Sequence, residues 1–338
     1  MYKYFRPLLF RLDPETAHHL TLRSIRLAGI FPPARWILQA MYSVPARPVD
    51  VFGLRFSNPV GLAAGYDKDG VATRGLSTLG FGHLELGTVT PLPQPGNPRP
   101  RVFRLVEDRA IINRMGFPGL GAEALEKQLK KKQPQGFILG VNMGKNKDTP
   151  LEAAASDYLT LLRRFMPLAG YLAINVSSPN TAGLRRLQGR GLLEDLLKAI
   201  ARERVSLASA GCQPKPILVK LAPDLTDEEL DDALDVIIST GMDGVIATNT
   251  TRAREGLVSA RRLEAGGLSG DPLRVRSQAF LAAVVKRLNG RLPVVSVGGI
   301  MTPADARLRL EAGAALVQVY TGLVYAGPGL VRQILLGL

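Results

Sequence analysis

The chain has 338 residues, 46% of them hydrophobic and 21% charged, with one cysteine and a formal net charge of +14. That length holds one large α/β barrel or two ordinary domains, and the lack of any low-complexity or Ser/Gly-rich linker favours a single body. The lone Cys212 excludes an internal disulfide and a cysteine-based metal cluster, which suits a reducing cytoplasm; no metal site is expected, and the basic charge comes with no zinc spacing, recognition helix or aromatic-basic RNA motif, so no nucleic-acid partner is expected.

In chain order, residues 1–42 come first as an extension. Arg11, Asp13, Glu15, Arg23 and Arg26 interrupt the apolar run that a signal peptide needs. Asp13-Pro14 predicts a helix start, as N-cap and first-turn proline, followed by Ala17, Leu20, Leu27 and Ala28 at helical spacing; a second helix carries Trp36, Ile37, Ala40 and Met41. Lys3, Arg6, Arg11, Arg23, Arg26 and Arg35 against Asp13 and Glu15 give six minus two, or +4, over residues 1–40. A basic amphipathic segment too short for its own core suits an anionic membrane surface, with a helical cap on the barrel as the alternative.

Residues 43–338 read as one catalytic domain. Short apolar runs of the parallel-strand type lie at Val60–Ala64, Leu84–Leu86, Phe137–Val141, Tyr171–Val176, Ile217–Leu221, Gly244–Ala247, Val294–Val297 and Leu316–Val319. Helical stretches alternate with them, and Thr149-Pro150-Leu151-Glu152, Thr226-Asp227-Glu228-Glu229 and Thr302-Pro303-Ala304-Asp305 are predicted helix starts. Eight βα units predict an α/β fold of the TIM (β/α)8 barrel type behind an N-terminal helical extension, with a doubly wound sheet as the weaker alternative. Residues 312–331 are uncharged, yet four glycines, Pro328 and the run Leu316 to Tyr320 favour a buried strand and loop over a membrane span.

The strand ends are unusually polar: Lys68, Thr88, Asn142, Asn175 with Ser178 and Asn180, Lys220, then Thr248, Asn249 and Thr250. Gly298-Gly299 and Tyr320-Thr321-Gly322 follow strands seven and eight, where barrels commonly hold a phosphate on backbone N–H groups. Singly, each of these is an ordinary turn or cap residue. Together, two lysines and a ring of amides suit a planar anionic ligand rich in carbonyl and imide groups, such as flavin mononucleotide (FMN) with a pyrimidine.

The stretches Gly61-Leu62-Ala63-Ala64-Gly65-Tyr66-Asp67-Lys68-Asp69-Gly70, Ile112-Asn113-Arg114-Met115-Gly116-Phe117, Asn175-Val176-Ser177-Ser178-Pro179-Asn180-Thr181 and Val245-Ile246-Ala247-Thr248-Asn249-Thr250-Thr251 resemble the dihydroorotate dehydrogenase family, as do Gly266-Gly267-Leu268-Ser269-Gly270 and Val297-Gly298-Gly299-Ile300. The similarity runs from about residue 3 to the end, with the motifs in family order. The resemblance implies that a base takes a proton from C5 of dihydroorotate while hydride passes from C6 to FMN, one per chain, giving orotate in pyrimidine synthesis. The base position is Ser178, where the soluble branch carries cysteine. Serine is a poor base at its ordinary pKa and needs a proton relay.

By the same match, Ala64, Gly65, Tyr66, Asp67, Lys68, Thr88, Asn142, Asn175, Lys220, Thr248, Gly270, Gly299, Tyr320 and Thr321 would hold FMN. Lys68, Asn113, Arg114, Met115, Gly116, Phe117, Asn175, Asn180, Asn249 and Thr250 would hold the orotate ring. The extension matches the quinone-linked branch, in which it forms a lipophilic tunnel toward the flavin; His18, Arg104 and Tyr320 would border the quinone path. These implications include a membrane quinone as acceptor, an anionic membrane surface as partner, a monomer, and a peripheral place on the cytoplasmic face of a bacterial membrane. Two positions depart from the family pattern: Tyr66 stands where a smaller aliphatic residue is expected, and Thr321 where serine is. The rivals are a soluble dihydroorotate dehydrogenase using fumarate or NAD, which the missing cysteine and present extension oppose; a dihydrouridine synthase, which needs a catalytic loop cysteine that Cys212 is poorly placed to be; and a non-catalytic ligand-binding barrel.

Overall fold

The computed structural model describes residues 2–131, 133–134 and 136–338, so Met1 of the 1–42 extension lies outside the described residues. Three helices lead the chain: α1 (Tyr2–Arg11), α2 (Pro14–Ile30) and α3 (Pro32–Tyr42). A hairpin of β1 (Val49–Val51) and β2 (Leu54–Phe56) follows, then β3 (Val60–Leu62), β4 (His83–Val89), β5 (Val102–Leu105), β6 (Ala110–Asn113), β7 (Ile138–Met143) and β8 (Tyr171–Asn175). The remaining strands are β9 (Ile217–Leu221), β10 (Gly244–Ala247), β11 (Gly267–Gly270), β12 (Val294–Val297) and β13 (Leu316–Val319). Strands β3, β4, β7, β8, β9, β10, β12 and β13 pair in parallel and close as β13 meets β3. This is the expected eight-stranded barrel, and strands five to eight of it coincide end to end with the runs read from sequence.

Two apolar layers hold the barrel. The larger lies between strands and surrounding helices, where both faces of each strand are covered and nearly every strand residue is buried. The smaller fills the barrel itself with Tyr171, Leu218, Ile246, Val295 and Leu316, and Phe56 from the β1–β2 hairpin packs into that cluster. Glycines make room for the large rings: a Cβ on Gly140 would lie 2.2 Å from the Tyr171 ring, so any side chain there expels it. An antiparallel sheet of β5, β6 and β11, absent from the sequence reading, adds a third cluster.

Local signals explain most helix starts. Thr226 and Thr302 each form a complete capping box, with Glu229 and Asp305 returning the bond to the cap. Asp13 caps α2 by accepting from the Glu15 and Thr16 N–H groups. The expected start at Thr149 does not form; that helix begins at Ala154, because the Thr149 carbonyl is held in the loop by the Lys145 ammonium at 2.6 Å. Helix α1 was not expected: it has Pro7 inside and no first-turn acid to announce it.

The extension is tied to the barrel by specific bonds. Tyr2 Oη donates to Val324 O at 2.6 Å, Arg6 Nη1 to Tyr325 O at 3.1 Å, and Arg104 Nη1 of β5 to Phe10 O at 3.1 Å. Buried Glu15 of α2 accepts from Arg101 Nη2 at 2.7 Å and from Arg99 Nη2 at 3.1 Å. These guanidinium groups outweigh desolvation and hold the Glu15 carboxyl below the usual carboxylate range. Glu15→Gln is therefore expected to loosen α2 by on the order of 3 kcal/mol, because it leaves Arg101 buried without its counter-charge. Amide hydrogen exchange in α2 should accelerate while the barrel strands stay protected. In the wild type the same contribution is present above the ordinary carboxylate range and is lost as pH falls through the depressed Glu15 pKa. Equal exchange in α2 of both proteins would contradict this.

Among the described residues, no helix is long and apolar enough to cross a membrane, and no group of three His, Cys, Asp or Glu side chains is placed to hold a metal ion.

Candidate active site

One chamber of about 710 Å³ runs from the C-terminal ends of the barrel strands to the inner faces of α1 and α2. Its barrel half brings together most of the residues expected at the site. Ala64, Gly65, Tyr66 and Lys68 line it after β3, Thr88 from β4, Asn175 and Lys220 from β8 and β9, and Thr248 with Asn249 and Thr250 after β10. Gly270 of β11, Gly299, Tyr320 and Thr321 line the same space, as do Asn113, Met115, Gly116, Phe117, Ser178 and Asn180.

Three expected residues do not line it. Asp67 turns its carboxylate back into its own loop, accepting from the Val71 and Ala72 N–H groups at 2.9 and 2.8 Å; desolvation outweighs those bonds and lifts it to about 6. Arg114 points away, paired with Glu264 at 2.7 Å and stacked over Phe103. Asn142 is fully buried, with its Oδ1 accepting from Thr88 Oγ1 and Asn175 Nδ2.

The polar wall is organised by amides. Asn175 Nδ2 donates to Thr88 Oγ1 at 2.9 Å, and its Oδ1 accepts from Ser177 Oγ at 3.1 Å and Asn249 Nδ2 at 3.2 Å. Asn180 Nδ2 donates to Asn113 Oδ1 at 3.0 Å, which joins the loop after β8 to the end of β6. Among the described residues Asn180 Oδ1 and Thr250 Oγ1 are buried with no hydrogen-bond partner, an expensive arrangement unless a ligand supplies the missing groups. Ser178 Oγ accepts from the Asn180 N–H at 3.2 Å, and the residue is only 5% exposed. Its neighbour Ser177 is already committed, with its hydroxyl bonded to Asn175 and Asn249.

Two lysines reach this wall. Lys68 Nζ donates to Gly65 O at 2.8 Å; desolvation lowers it to about 8, although nearby Asp69 and Glu15 oppose the shift. Lys220 is buried with its Nζ 3.5 Å from Glu85 Oε1. Neither Glu85 nor its partners Tyr171 and Gln318 were expected at the site, although charged or amide residues inside fully buried strands were a signal of inward-facing chemistry.

At the other end of the barrel mouth, Gly298 and Gly299 both have positive φ, at 109° and 70°, and a Cβ on Gly299 would lie 2.3 Å from Arg274 Cα. Only glycine fits so close a turn. Buried Arg309 holds this loop by donating to Gly298 O at 3.1 Å and to Arg274 O at 2.8 Å; desolvation brings its pKa down to about 10. The donor set therefore fits FMN on three counts: a tight glycine turn backed by a buried cation for a phosphate, two ammonium groups for an electron-rich ring, and unpartnered acceptors and hydroxyls beside it.

The helical half of the chamber is mostly apolar, with Glu15, Thr21 and Ser24 of α2 as polar exceptions. Phe5, Leu8, Leu9, Ala17, Ile25 and Leu38 line it. Where the halves meet, His18 contacts Tyr66 edge-on at 5.0 Å and Tyr66 contacts Tyr320 at 5.8 Å. Tyr66 thus fills the junction with an aromatic ring, where a small aliphatic residue was expected. His18 is driven down to about 3 by desolvation and by the Lys68 charge, so its imidazole is neutral. Arg104 lines the same region, with its guanidinium 4.2 Å from the Phe10 ring centre.

Comparison with known proteins gives a consistent result. The chain is 48% identical over its full length to a dihydroorotate dehydrogenase (quinone) of Roseiflexus sp. strain RS-1, covering 93% of that protein. It is 50% identical to the protein of that name from Stutzerimonas stutzeri strain A1501, over 98% of this chain and 96% of that one. Among solved structures, DHODH from Eimeria tenella in complex with ferulenol superposes with a TM-score of 0.87 at 39% identity, covering 98% of this chain and 93% of that one. The family model for dihydroorotate dehydrogenase matches residues 48–338, the hairpin and the whole barrel, and with this agreement of sequence, architecture and site the chain belongs to the dihydroorotate dehydrogenase family.

Proposed function

We infer that the chain oxidises (S)-dihydroorotate to orotate with FMN and passes the electrons to a quinone. The observation that carries this reading is the single chamber with two chemically opposite halves, one lined by lysines and amides and the other by the apolar faces of α1, α2 and α3. A polar pyrimidine and a lipophilic acceptor need such different surroundings, and both must reach the same redox group. The direct experiment is an absorbance spectrum of the purified protein: bound flavin, bleaching by dihydroorotate and recovery with a quinone are expected. A colourless protein that takes up no FMN would remove the reading.

FMN, when bound, supplies the hydride acceptor. The residues proposed above for FMN would place its phosphate at Gly299, Tyr320 and Thr321 and its ring beside Lys220, where the ammonium favours the negative charge that accompanies reduction. Asn113, Asn180, Asn249 and Thr250 would hold the imide edge of the substrate, since amides and hydroxyls match alternating carbonyls and N–H groups. We assign Arg114 and Asp67 no role in this site, since their side chains are engaged by Glu264 and by the Val71 and Ala72 N–H groups. Ser178 would take the C5 proton while passing its own hydroxyl proton onward, and Lys68 would meet the substrate carboxylate.

That role of Lys68 has a pH signature. Its ammonium is held at about 8 in the open chamber, so the charged form is present below that pH and is lost above it. Orotate affinity, followed by the change it causes in the flavin spectrum, is expected to weaken as pH rises from about 7 to about 10, with the step moved upward by the bound carboxylate. Lys68→Met should bind weakly at every pH. A wild-type affinity that is flat across this range would exclude a charged Lys68 from substrate binding.

The outer surface of the extension supports peripheral membrane attachment. Tyr4, Phe5, Leu27, Phe31, Trp36 and Ile37 are each at least 60% exposed, interspersed with exposed Lys3, Arg6, Arg11, Arg23 and Arg26. Apolar anchors flanked by cations suit an anionic bilayer surface. We assign the extension, residues 1–42, to membrane and quinone and residues 43–338 to catalysis, and we place the protein as a monomer on the cytoplasmic face of a bacterial membrane.

A further inference from the structure

We infer that Glu85 is a positioning residue of the redox site: it fixes Lys220 and Asn142 from inside the barrel and sets the charge that a bound flavin experiences. The inference rests on the reading that the chamber holds FMN.

Glu85 lies on β4, is 1% exposed, and projects into the barrel interior. Four other barrel strands converge on its carboxylate. Oε1 meets Lys220 Nζ of β9 at 3.5 Å and accepts from Asn142 Nδ2 of β7 at 2.8 Å. Oε2 accepts from Tyr171 Oη of β8 at 3.0 Å and from Gln318 Nε2 of β13 at 2.9 Å. Each oxygen thus has two partners, and only one of the four is charged.

This division matters. A buried carboxylate given only neutral donors would carry an uncompensated charge, and a buried ammonium on the chamber wall without Glu85 would do the same. Together they form a neutral pair with a fixed direction: the carboxylate is pinned inside the barrel by Tyr171 and Gln318, and the ammonium stands toward the chamber. Asn142 shares the oxygen that faces Lys220, and it in turn accepts from Thr88 and Asn175, which line the chamber. One carboxylate therefore orients four chamber-lining residues, Lys220 and Gln318 directly and Thr88 and Asn175 through Asn142, without touching a ligand.

Its electrostatic effect opposes that of Lys220. The ammonium stabilises negative charge on a reduced ring, and the carboxylate behind it offsets part of that field. Removing the carboxylate charge while keeping its shape should make a bound flavin easier to reduce. A merely structural polar cluster would change stability when cut and leave the flavin potential alone.

The test is a reductive titration of flavin-loaded Glu85→Gln against a reference dye. At a fixed potential the ratio of reduced to oxidised flavin should rise at least about tenfold over wild type, a positive shift of about 30 mV for a two-electron couple. An unshifted or more negative potential in the loaded variant overturns the inference. A second comparison does not depend on that variant folding alone. Lys220→Met leaves the carboxylate buried without its cation, so Lys220→Met with Glu85→Gln should melt at a higher temperature than Lys220→Met. If the second substitution only lowers the melting temperature further, the two groups are not a pair and the inference fails. A wild-type preparation that takes up no FMN defeats the flavin reading itself, whereas an unshifted potential in loaded Glu85→Gln defeats only the role of Glu85.

Discussion

Replacing Ser178 with alanine is expected to slow the bleaching of bound flavin by dihydroorotate by about 10²- to 10⁴-fold, the usual loss when a general base is removed, with FMN content unchanged. Among the described residues the Ser178 hydroxyl has one hydrogen-bond partner, the Asn180 N–H at 3.2 Å, for which it is the acceptor. Its own proton is therefore not committed to another of these residues. Ser177 is the natural control. Its hydroxyl donates to Asn175 and accepts from Asn249, so Ser177→Ala should disturb that amide cluster and alter flavin or orotate affinity more than the proton step. Stopped-flow reduction at wild-type speed in a flavin-loaded Ser178→Ala protein would exclude Ser178 as the base.

Deleting residues 1–42 is expected to separate the two half-reactions. Flavin bleaching by dihydroorotate should survive, while reoxidation by a long-chain quinone should fall ~10²-fold or more, since the acceptor loses the surfaces that hold it near the ring. Binding to anionic vesicles should weaken as well. The deletion also takes away Glu15 and leaves Arg101 buried with, among the described residues, only the Pro95 and Asn97 carbonyls as side-chain partners, so folding and flavin content need to be measured first. A gentler variant keeps the ion pair: Thr21→Trp places a ring into the α2 wall of the chamber and should slow quinone reoxidation alone. If a folded, flavin-loaded truncation is reoxidised by the quinone at the wild-type rate, the helices are a structural cap, and fumarate or NAD returns as the acceptor.

The barrel was legible because its strands are buried on both faces and so read as short unbroken apolar runs; Ile217–Leu221 and Leu316–Val319 end where those runs end. What escaped notice has different physics. Helix α1 is stabilised by contacts with Val324 and Tyr325 that are more than three hundred residues away in sequence, and nothing local marks it. Strands β5, β6 and β11 are short and antiparallel, and β11 pairs with β6 across a long stretch of chain. The loops of the site were visible as clusters of lysine, amide and glycine, and most of them share one chamber. The reach of each side chain was not visible, which is why Asp67, Arg114 and Asn142 face elsewhere. Glu85 and Gln318 were hidden for a related reason: a polar residue within an apolar run shows that something unusual is buried, but its partners come from strands far apart in sequence.

The bond from Tyr2 to Val324 also bears on how the molecule is made. Tyr2 docks against a residue made 322 positions after it, and the barrel closes only when β13 arrives beside β3. Bringing such distant partners together costs little more than closing a shorter loop, but it cannot happen until Val324 has been made. Throughout that interval Tyr2 and Arg6 lack the Val324 and Tyr325 carbonyls that hold them, and the exposed Tyr4, Phe5 and Leu8 have, in this reading, no bilayer. Helix α1 of the nascent chain is then open to chaperones and to aggregation, and a chain stalled before Val324 would leave that helix with nothing to hold it.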